Sequence, residues 1–189
     1  MVLVTLNHLL LLFSLSNIIL AAEMLIGYRR VSRAEADLIN QYGNIFRDEA
    51  YDKAASENGG AQLGAGVYLS LSPKGYNAYN NDWWCWVLAQ SKPFTAAPKV
   101  WIPRSEWDKD EEKISAYTQD HLKEGETSTY AIRMAQVKDY SEGTWQILIP
   151  TRMVQEDKLD TRAECVANYH DMWYTKAVSF EHWYNIRNA

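Results

Sequence analysis

The stretch Gly66-Val67-Tyr68-Leu69-Ser70, followed by Gly75-Tyr76-Asn77-Ala78-Tyr79, is the most informative part of this chain. Tyr79 is the eleventh residue after Tyr68, and two aromatic side chains at this spacing can frame a flat heterocycle such as a nicotinamide ring. Upstream, Gly27-Tyr28-Arg29-Arg30 predicts a short strand that ends in a cation able to hold a phosphate or an amide. Together the two segments predict a binding site for NAD.

The patterns around this stretch predict an α+β fold. Residues 24–31 read as a strand, and Ser32 stands three residues before Glu35, so a capping box should begin a helix there. Gly43 supplies the left-handed residue that commonly ends a helix. Because the predicted strands outnumber the helices and do not alternate with them regularly, an α+β fold is favoured. The further strands are predicted at 67–71, 83–88, 99–102, 129–137, 145–149 and 175–180.

The first 22 residues differ from the rest of the chain. They contain no acidic residue, are mostly apolar and end in Leu20-Ala21-Ala22, which is typical of a cleaved secretory signal peptide. A retained signal anchor is the alternative. We therefore expect residues 1–22 to be a signal peptide and residues 23–189 to form a single secreted, extracellular domain, with delivery into a host cell left open. No second apolar stretch follows, so we expect no stable membrane span.

The charge of the chain limits its partners. With 19 basic and 24 acidic side chains, the net charge is −5. A negative net charge argues against nucleic acid and anionic membranes as general partners. We expect a monomer.

The two cysteines, Cys85 and Cys165, predict one disulfide. An even cysteine count in an exported chain favours a disulfide over a metal site or a catalytic thiol. Two buried free thiols are the alternative.

The order of these motifs resembles the NAD-binding half of the ADP-ribosyltransferase fold, in particular the branch of diphtheria toxin and the poly-ADP-ribose polymerases. That branch carries His after the first-strand Tyr, whereas this chain carries Arg29, the residue of the cholera-toxin and C3-exoenzyme branch. The resemblance implies two packed, antiparallel-rich sheets with flanking helices. The chain also resembles small secreted fungal proteins of this fold, through Leu63 to Tyr68, Trp83 to Trp86, Trp101 to Pro103 and Gln146 to Pro150.

The resemblance also implies roles for individual residues. Arg29 would orient NAD through its ribose or phosphate oxygens, because a guanidinium suits such bidentate contacts. Tyr68 and Tyr79 would clamp the nicotinamide ring. Ser70, two residues after Tyr68 on the same strand face, would bond the ribose. Taken singly, each has an ordinary alternative: a surface ion pair for Arg29, core aromatics for the tyrosines and a turn for Ser70.

The catalytic position is where the chain departs from the family pattern. The transferases open a late strand with a Glu that stabilises the oxocarbenium-like transition state, and the matching residue here is Gln146. An amide carries no charge. Glu142, four residues earlier, is the nearest substitute, with a solvated turn carboxylate as the alternative.

Three classes of function follow. The first is a secreted toxin or effector that transfers ADP-ribose to a target protein, or hydrolyses NAD. The second is a catalytically degenerate member that binds a host protein or a nucleotide. The third is a carbohydrate-binding protein that uses Trp83, Trp84 and Trp86, although core burial is the favoured explanation for these rings. His121, His170 and His182 lack the close spacing of a metal site, so no metal is expected.

Overall fold

The computed structural model describes residues 22–47, 50, 52–53, 61–77 and 81–188. The predicted signal peptide therefore lies outside the described residues except for Ala22, and Tyr79 lies outside them as well. None of the described helices is long and apolar enough to cross a membrane.

The structure is α+β, as predicted. Short 3-10 turns connect several of the regular elements. The described strands are β1 (Glu23–Val31), β2 (Gly66–Ser70), β3 (Trp83–Gln90), β4 (Lys99–Trp101), β5 (Ile132–Gln136), β6 (Trp145–Pro150), β7 (Thr161–Val166) and β8 (Ile186–Arg187). The described α-helices are α1 (Arg33–Tyr42), α2 (Ser91–Ala96), α3 (Glu111–Asp120) and α4 (Thr151–Gln155).

The eight strands form one mixed sheet in the order β7-β3-β1-β2-β6-β5-β4-β8. Most neighbours are antiparallel, whereas β4 runs parallel to both β5 and β8. The expected pair of separate sheets is therefore replaced by one sheet with two halves. Its halves meet at β1 and β2, which are in register at Tyr28 and Ser70, and this pairing makes the sheet continuous.

Alternation along the strands separates the face of the main core from a second face, which carries polar side chains and a smaller hydrophobic cluster that includes Leu148. In β2, Val67 and Leu69 belong to the main hydrophobic core, while Tyr68 lies on the opposite face. In β6, Ile147 belongs to the main core, and Gln146 shares the face of Tyr68 because it pairs with Ser70. Each buried Val, Leu or Ile contributes about 1.5–3 kcal/mol of hydrophobic stabilisation. This alternation fixes which side chains the second face presents.

Helix α1 begins and ends at the predicted residues. The Ser32 side chain accepts the backbone N–H of Glu35, and Gly43 adopts a left-handed φ of 69°. Ala36 and Ile39 are buried against the core. The helix therefore covers the core face of the β1–β3–β7 half.

The predicted disulfide is present. Cys85 of β3 and Cys165 of β7 are register partners with Cα atoms 4.0 Å apart. The backbone of Cys165 on the edge strand also bonds the Asn40 side chain, donating its N–H to Oδ1 at 2.7 Å and accepting from Nδ2 at 2.9 Å. The Asn40 amide thus occupies edge groups that would otherwise be open to another strand.

The prediction of a strand at 175–180 is wrong, because these residues form no regular strand. This segment crosses the junction of the two half-sheets without forming a ladder: the Val178 N–H donates to the Leu71 carbonyl at 2.7 Å, and the Tyr28 hydroxyl donates to the Lys176 carbonyl at 2.5 Å. A ladder needs successive backbone groups of a neighbouring strand. Here one partner is the residue after the end of β2 and the other is a side chain, so no regular strand forms. The chain then continues to β8, which completes the far edge of the sheet.

Candidate functional site

An open pocket of about 590 Å³ lies on the second face of the sheet, beside the ends of β2 and β6. Tyr68 and Gln146, both predicted from the sequence, line it. The full lining consists of Gln62, Tyr68, Tyr76, Asn77, Asp108, Val137, Lys138, Asp139, Tyr140 and Gln146. We call this the Gln146 pocket.

The orientation of the Gln62 amide is fixed by its backbone partners. Its Nε2 donates to the Gln136 carbonyl at 2.8 Å, and its Oε1 accepts the Lys138 backbone N–H at 2.9 Å. A carbonyl can only accept and a backbone N–H can only donate. Gln62 therefore presents its oxygen to the neighbouring Gln146.

This orientation determines that of Gln146. Its Nε2 donates to Gln62 Oε1 at 2.8 Å, so its Oε1 is turned towards Tyr76, whose hydroxyl donates at 3.0 Å. Gln146 is only 3% exposed. Burial, with a smaller contribution from Tyr68, raises the pKa of Tyr76 well above its usual value, although the charge of Arg29 opposes this shift. Tyr76 is therefore a neutral hydrogen-bond donor.

Tyr68 contributes its ring to the pocket and uses its hydroxyl for a local turn. The hydroxyl accepts the Leu63 N–H at 2.7 Å and donates to the Gly64 carbonyl at 2.9 Å. Burial raises the pKa of Tyr68 despite the hydrogen bond from Leu63, so this phenol also stays neutral. The ring is thereby fixed at the wall of the pocket.

An ion pair between the buried Arg133 and the half-exposed Glu111 holds the loop that carries Gln62. Arg133 is 1% exposed and donates to Glu111 at 2.7 Å and to the Leu63 carbonyl at 2.7 Å. Glu111 in turn accepts the Ala65 N–H at 2.6 Å. Burial raises the pKa of Glu111, but its hydrogen bonds and the charge of Arg133 outweigh this effect, and the net pKa is lowered.

Gly64 is required by this arrangement. It adopts a φ of +90°, and a Cβ at this position would lie 2.1 Å from Glu111 Oε2. The loop backbone therefore lies directly against the ion pair, and the position of Gln62 is determined by β5 and α3.

Ser70 is buried below the surface. Its hydroxyl donates to the Ser72 carbonyl at 2.8 Å and accepts the Ser72 N–H at 3.1 Å, closing a turn at the end of β2. Gly75 packs against this hydroxyl, since a Cβ there would lie 1.6 Å from Ser70 Oγ. Ser70 is not part of the lining of the Gln146 pocket.

Arg29 points away from the face that carries Ser70. Tyr28 pairs with Ser70, so the next side chain along β1 is directed to the other face of the sheet. The Arg29 guanidinium forms an ion pair with Glu35 of α1 at 2.8 Å. Arg29 is electrostatically close to Tyr76 but does not line the pocket.

Of the two other predicted positions, Glu142 lies outside the pocket and Tyr79 lies outside the described residues. Glu142 is exposed in the turn between β5 and β6 and is not part of the lining. Tyr79 is not described, so its predicted partnership with Tyr68 stays a prediction. Among the described residues, Tyr76 reaches Gln146 with its hydroxyl, three residues before Tyr79 in the sequence.

Sequence reasoning missed the two carboxylates of the pocket. Asp108 and Asp139 line it, and Lys138 Nζ lies 2.6 Å from Asp108 Oδ2. Asp108 and Asp139 lie in loops and adopt positive φ values of 60° and 61°. In the part of the chain that the structure describes, no group of three or more His, Cys, Asp or Glu side chains is arranged to hold a metal ion.

The tryptophans of β3 pack within the molecule. Trp86 is 2% exposed and lies in a cluster with Tyr28. The Arg30 guanidinium lies 3.4 Å from the centre of the Trp84 ring, and Tyr169 contacts the same ring edge-on at 5.0 Å. These rings are not presented as a continuous exposed platform.

The fold and site define a class: an α+β domain whose single mixed sheet carries a pocket of tyrosines and paired amides. The chain belongs to a family of unknown function (DUF5910), which matches residues 61–189. The match includes every lining residue of the Gln146 pocket and begins after Arg29 and Glu35. A search of curated proteins gave no match.

Proposed function

We propose that this protein is an exported, ADP-ribosyltransferase-like binding protein that holds NAD at the Gln146 pocket without cleaving it efficiently. It would act as an effector through the bound nucleotide or through a host protein recruited with it. The observation that carries the proposal is Gln146. This neutral, buried amide stands where the resemblance expects a carboxylate, and both ends of the amide are hydrogen-bonded.

The chemistry of cleavage explains why Gln146 argues for binding. Breaking the bond between nicotinamide and ribose develops positive charge on the sugar, which a nearby carboxylate stabilises. A neutral amide already bonded to Gln62 and Tyr76 supplies no such charge. Removal of one electrostatic stabiliser of a transition state costs about 2.7–4 kcal/mol, or roughly 100- to 1,000-fold in rate.

The pocket suits a flat, amide-bearing ligand. A volume of about 590 Å³ lies within the range of about 300–1,000 Å³ that is common for small-molecule sites. The aromatic rings of Tyr68, Tyr76 and Tyr140 line it together with the Asn77 and Lys138 side chains. Aromatic faces stack on a heterocycle, and amide or ammonium groups can bond a carboxamide or a phosphate.

An active NAD glycohydrolase or mono-ADP-ribosyltransferase is the second candidate. The observation that favours it is the presence of Asp108 and Asp139 in the lining. Asp108 is neutralised by Lys138 at 2.6 Å, which leaves Asp139 as the better substitute for the missing Glu. Under this alternative, Asp139→Asn abolishes nicotinamide release.

The test combines calorimetric titration of NAD with an assay of nicotinamide release, using the oxidised chain without residues 1–22. We expect NAD to bind and nicotinamide not to be released. Tyr76→Phe should weaken binding, because it removes the donor to Gln146, while Tyr184→Phe serves as a control at a tyrosine that is 69% exposed. Release that disappears in Asp139→Asn establishes the enzyme instead. Absence of NAD binding refutes the proposal and leaves a protein-binding effector.

A further inference from the structure

A second, smaller pocket lies on the β1–β3–β7 half of the sheet. Its volume is about 260 Å³, and it is lined by Trp86, Arg162, Glu164, Trp173 and Tyr174. The register pairs Trp86 with Glu164 and Leu88 with Arg162, so the two charged side chains rise from the same face as the Trp86 ring. We call it the Trp173 pocket.

Aromatic rings form both the floor and the rim of this pocket. Trp86 is buried and forms the floor, and the Tyr174 ring lies 6.2 Å from it at an angle of 52°. Trp173 is 84% exposed. Tyr174, which is 39% exposed, lines the same pocket, and contiguous exposed apolar surface of this kind commonly marks ligand or partner sites.

The segment that carries these rings is fixed on both sides. Met172, immediately before Trp173, is buried against Tyr28 and Trp86. The Lys176 carbonyl, two residues after Tyr174, accepts the Tyr28 hydroxyl at 2.5 Å. The chain therefore holds Trp173 and Tyr174 at the surface while their neighbours are anchored.

The charges around the rings indicate a neutral ligand. Arg162 and Glu164 have opposite signs and lie two residues apart on the same face, so the rim favours neither polyanions nor cations. Arg162 offers N–H donors and Glu164 offers acceptor oxygens. The Glu164 carboxylate is exposed at the rim, whereas Arg162 also approaches Glu23 at 3.6 Å.

The size of the pocket favours a single ring over a protein surface. A specific protein interface buries about 800 Å² on each partner around an apolar centre. Here the chain neighbours of the aromatic pair, Asp171, Thr175 and Lys176, are exposed and polar. A pyranose ring has an apolar C–H face for stacking and hydroxyls that both donate and accept.

We propose that the Trp173 pocket binds one sugar ring of a neutral glycan. The site differs from the carbohydrate face expected at Trp84 and Trp86, because the exposed rings come from the C-terminal segment. It is also separate from the Gln146 pocket, and the two share no lining residue. The inference therefore does not depend on NAD binding.

The test is a calorimetric titration of the oxidised chain with neutral hexasaccharides of β-linked glucose, N-acetylglucosamine and mannose. We expect at least one to bind, and Trp173→Ala to weaken that binding roughly tenfold or more because the stacking face is lost. Glu164→Gln, which retains the ring stack, should weaken it less. Tyr184→Ala is the matched control, since it removes an exposed ring outside the pocket, and Tyr76→Phe should leave glycan binding unchanged.

Two results would overturn the proposal. One is the absence of heat or tryptophan fluorescence change with all three sugars at roughly 1 mM, the weak end of specific binding. The other is glycan binding that Trp173→Ala leaves intact while circular dichroism shows a folded variant. Such binding would have to occur elsewhere on the molecule.

Discussion

Gln146 Nε2 and Gln62 Oε1 lie 2.8 Å apart, although 84 residues separate them in the chain. The oxygen of Gln62 also accepts the Lys138 N–H, so both of its acceptor positions are occupied by donors. Gln62 is therefore arranged to receive an N–H from position 146. A carboxylate at that position would place an acceptor against an acceptor, so the surroundings of Gln146 match the amide that is present.

Gln146→Glu should lower the free energy of unfolding by about 1–3 kcal/mol at pH 7, because it breaks a buried hydrogen bond and introduces a buried charge. The folded protein would raise the pKa of this carboxyl above its unfolded value of about 4.3. The destabilisation should therefore be small at pH 4 and grow as the pH rises. Urea unfolding of the variant between pH 4 and 7.5 measures this difference. A loss of stability that does not change with pH would contradict the proposed burial of the charge.

Glu111→Gln should destabilise the loop that carries Gln62, since Arg133 would lose its counter-ion in a buried setting. Loss of an exposed pair costs up to about 1 kcal/mol and loss of one partner from a buried pair about 3–5 kcal/mol, and we expect a cost between these values because Arg133 is buried whereas the Glu111 side chain is 46% exposed. Hydrogen exchange at the Ala65 amide, which donates to Glu111, reports the local effect. Glu112→Gln, at the adjacent exposed position, is the control and should leave that amide protected.

The free energy of unfolding should increase with pH above about 8 because of the buried Lys99. Burial lowers its pKa from about 10.5 to about 8, while its ammonium donates to the carbonyls of Phe94 and Ala97. Between these two pKa values the unfolded chain binds more protons than the folded protein, so raising the pH favours folding. The gain from pH 8 to 9.5 should be roughly 1–2 kcal/mol.

The check for Lys99 is a comparison of unfolding free energies with Lys99→Met at pH 7, 8 and 9.5. The variant cannot titrate at this position, so the difference between the two proteins isolates the lysine. Parallel pH profiles for both proteins would show that Lys99 keeps its ordinary pKa in the folded state.

Acid should release the C-terminal strand β8. Arg187 of this strand donates to Glu126, and this hydrogen bond lowers the pKa of Glu126 to about 2 despite opposing desolvation. The stabilisation is present above the unfolded pKa of about 4.3 and is lost as the pH falls towards 2. Glu126→Gln should show the same release at pH 7, detected as faster cleavage by a carboxypeptidase, whereas Glu124→Gln should behave like the parent.

Local features of the fold were predictable because their signals lie within a few residues of each other. The hydroxyl of Ser32 and the left-handed Gly43 delimit α1, and alternation along β2 assigns Val67 to the core and Tyr68 to the other face. The strand at 175–180 was predicted wrongly because β-forming residues do not reveal whether a neighbouring strand is there to pair with them. In the folded chain the Val178 N–H donates to the carbonyl of Leu71, just beyond the end of β2, and the segment forms no ladder with a neighbouring strand.

The candidate site was predictable only in part. Tyr68 and Gln146 meet in one pocket, but Tyr76 and Gln62 join them through side-chain hydrogen bonds that no sequence spacing encodes. Arg29 has the residue type of the cholera-toxin and C3-exoenzyme branch, and the strand register directs it to the other face of the sheet. Roles carried over by resemblance therefore identify positions and leave the direction of each side chain open.

The sequence by itself determined the α+β class and the pairing of Cys85 with Cys165. Short-range periodicity, capping residues and an even cysteine count express these features directly. Only the tertiary structure decided that the strands form one sheet, that Gln146 is buried and hydrogen-bonded at both ends, and that Trp173 is exposed. Each of these depends on which distant backbone and side-chain groups meet, because hydrogen-bond saturation and burial are properties of contacts across the chain and not of any local segment.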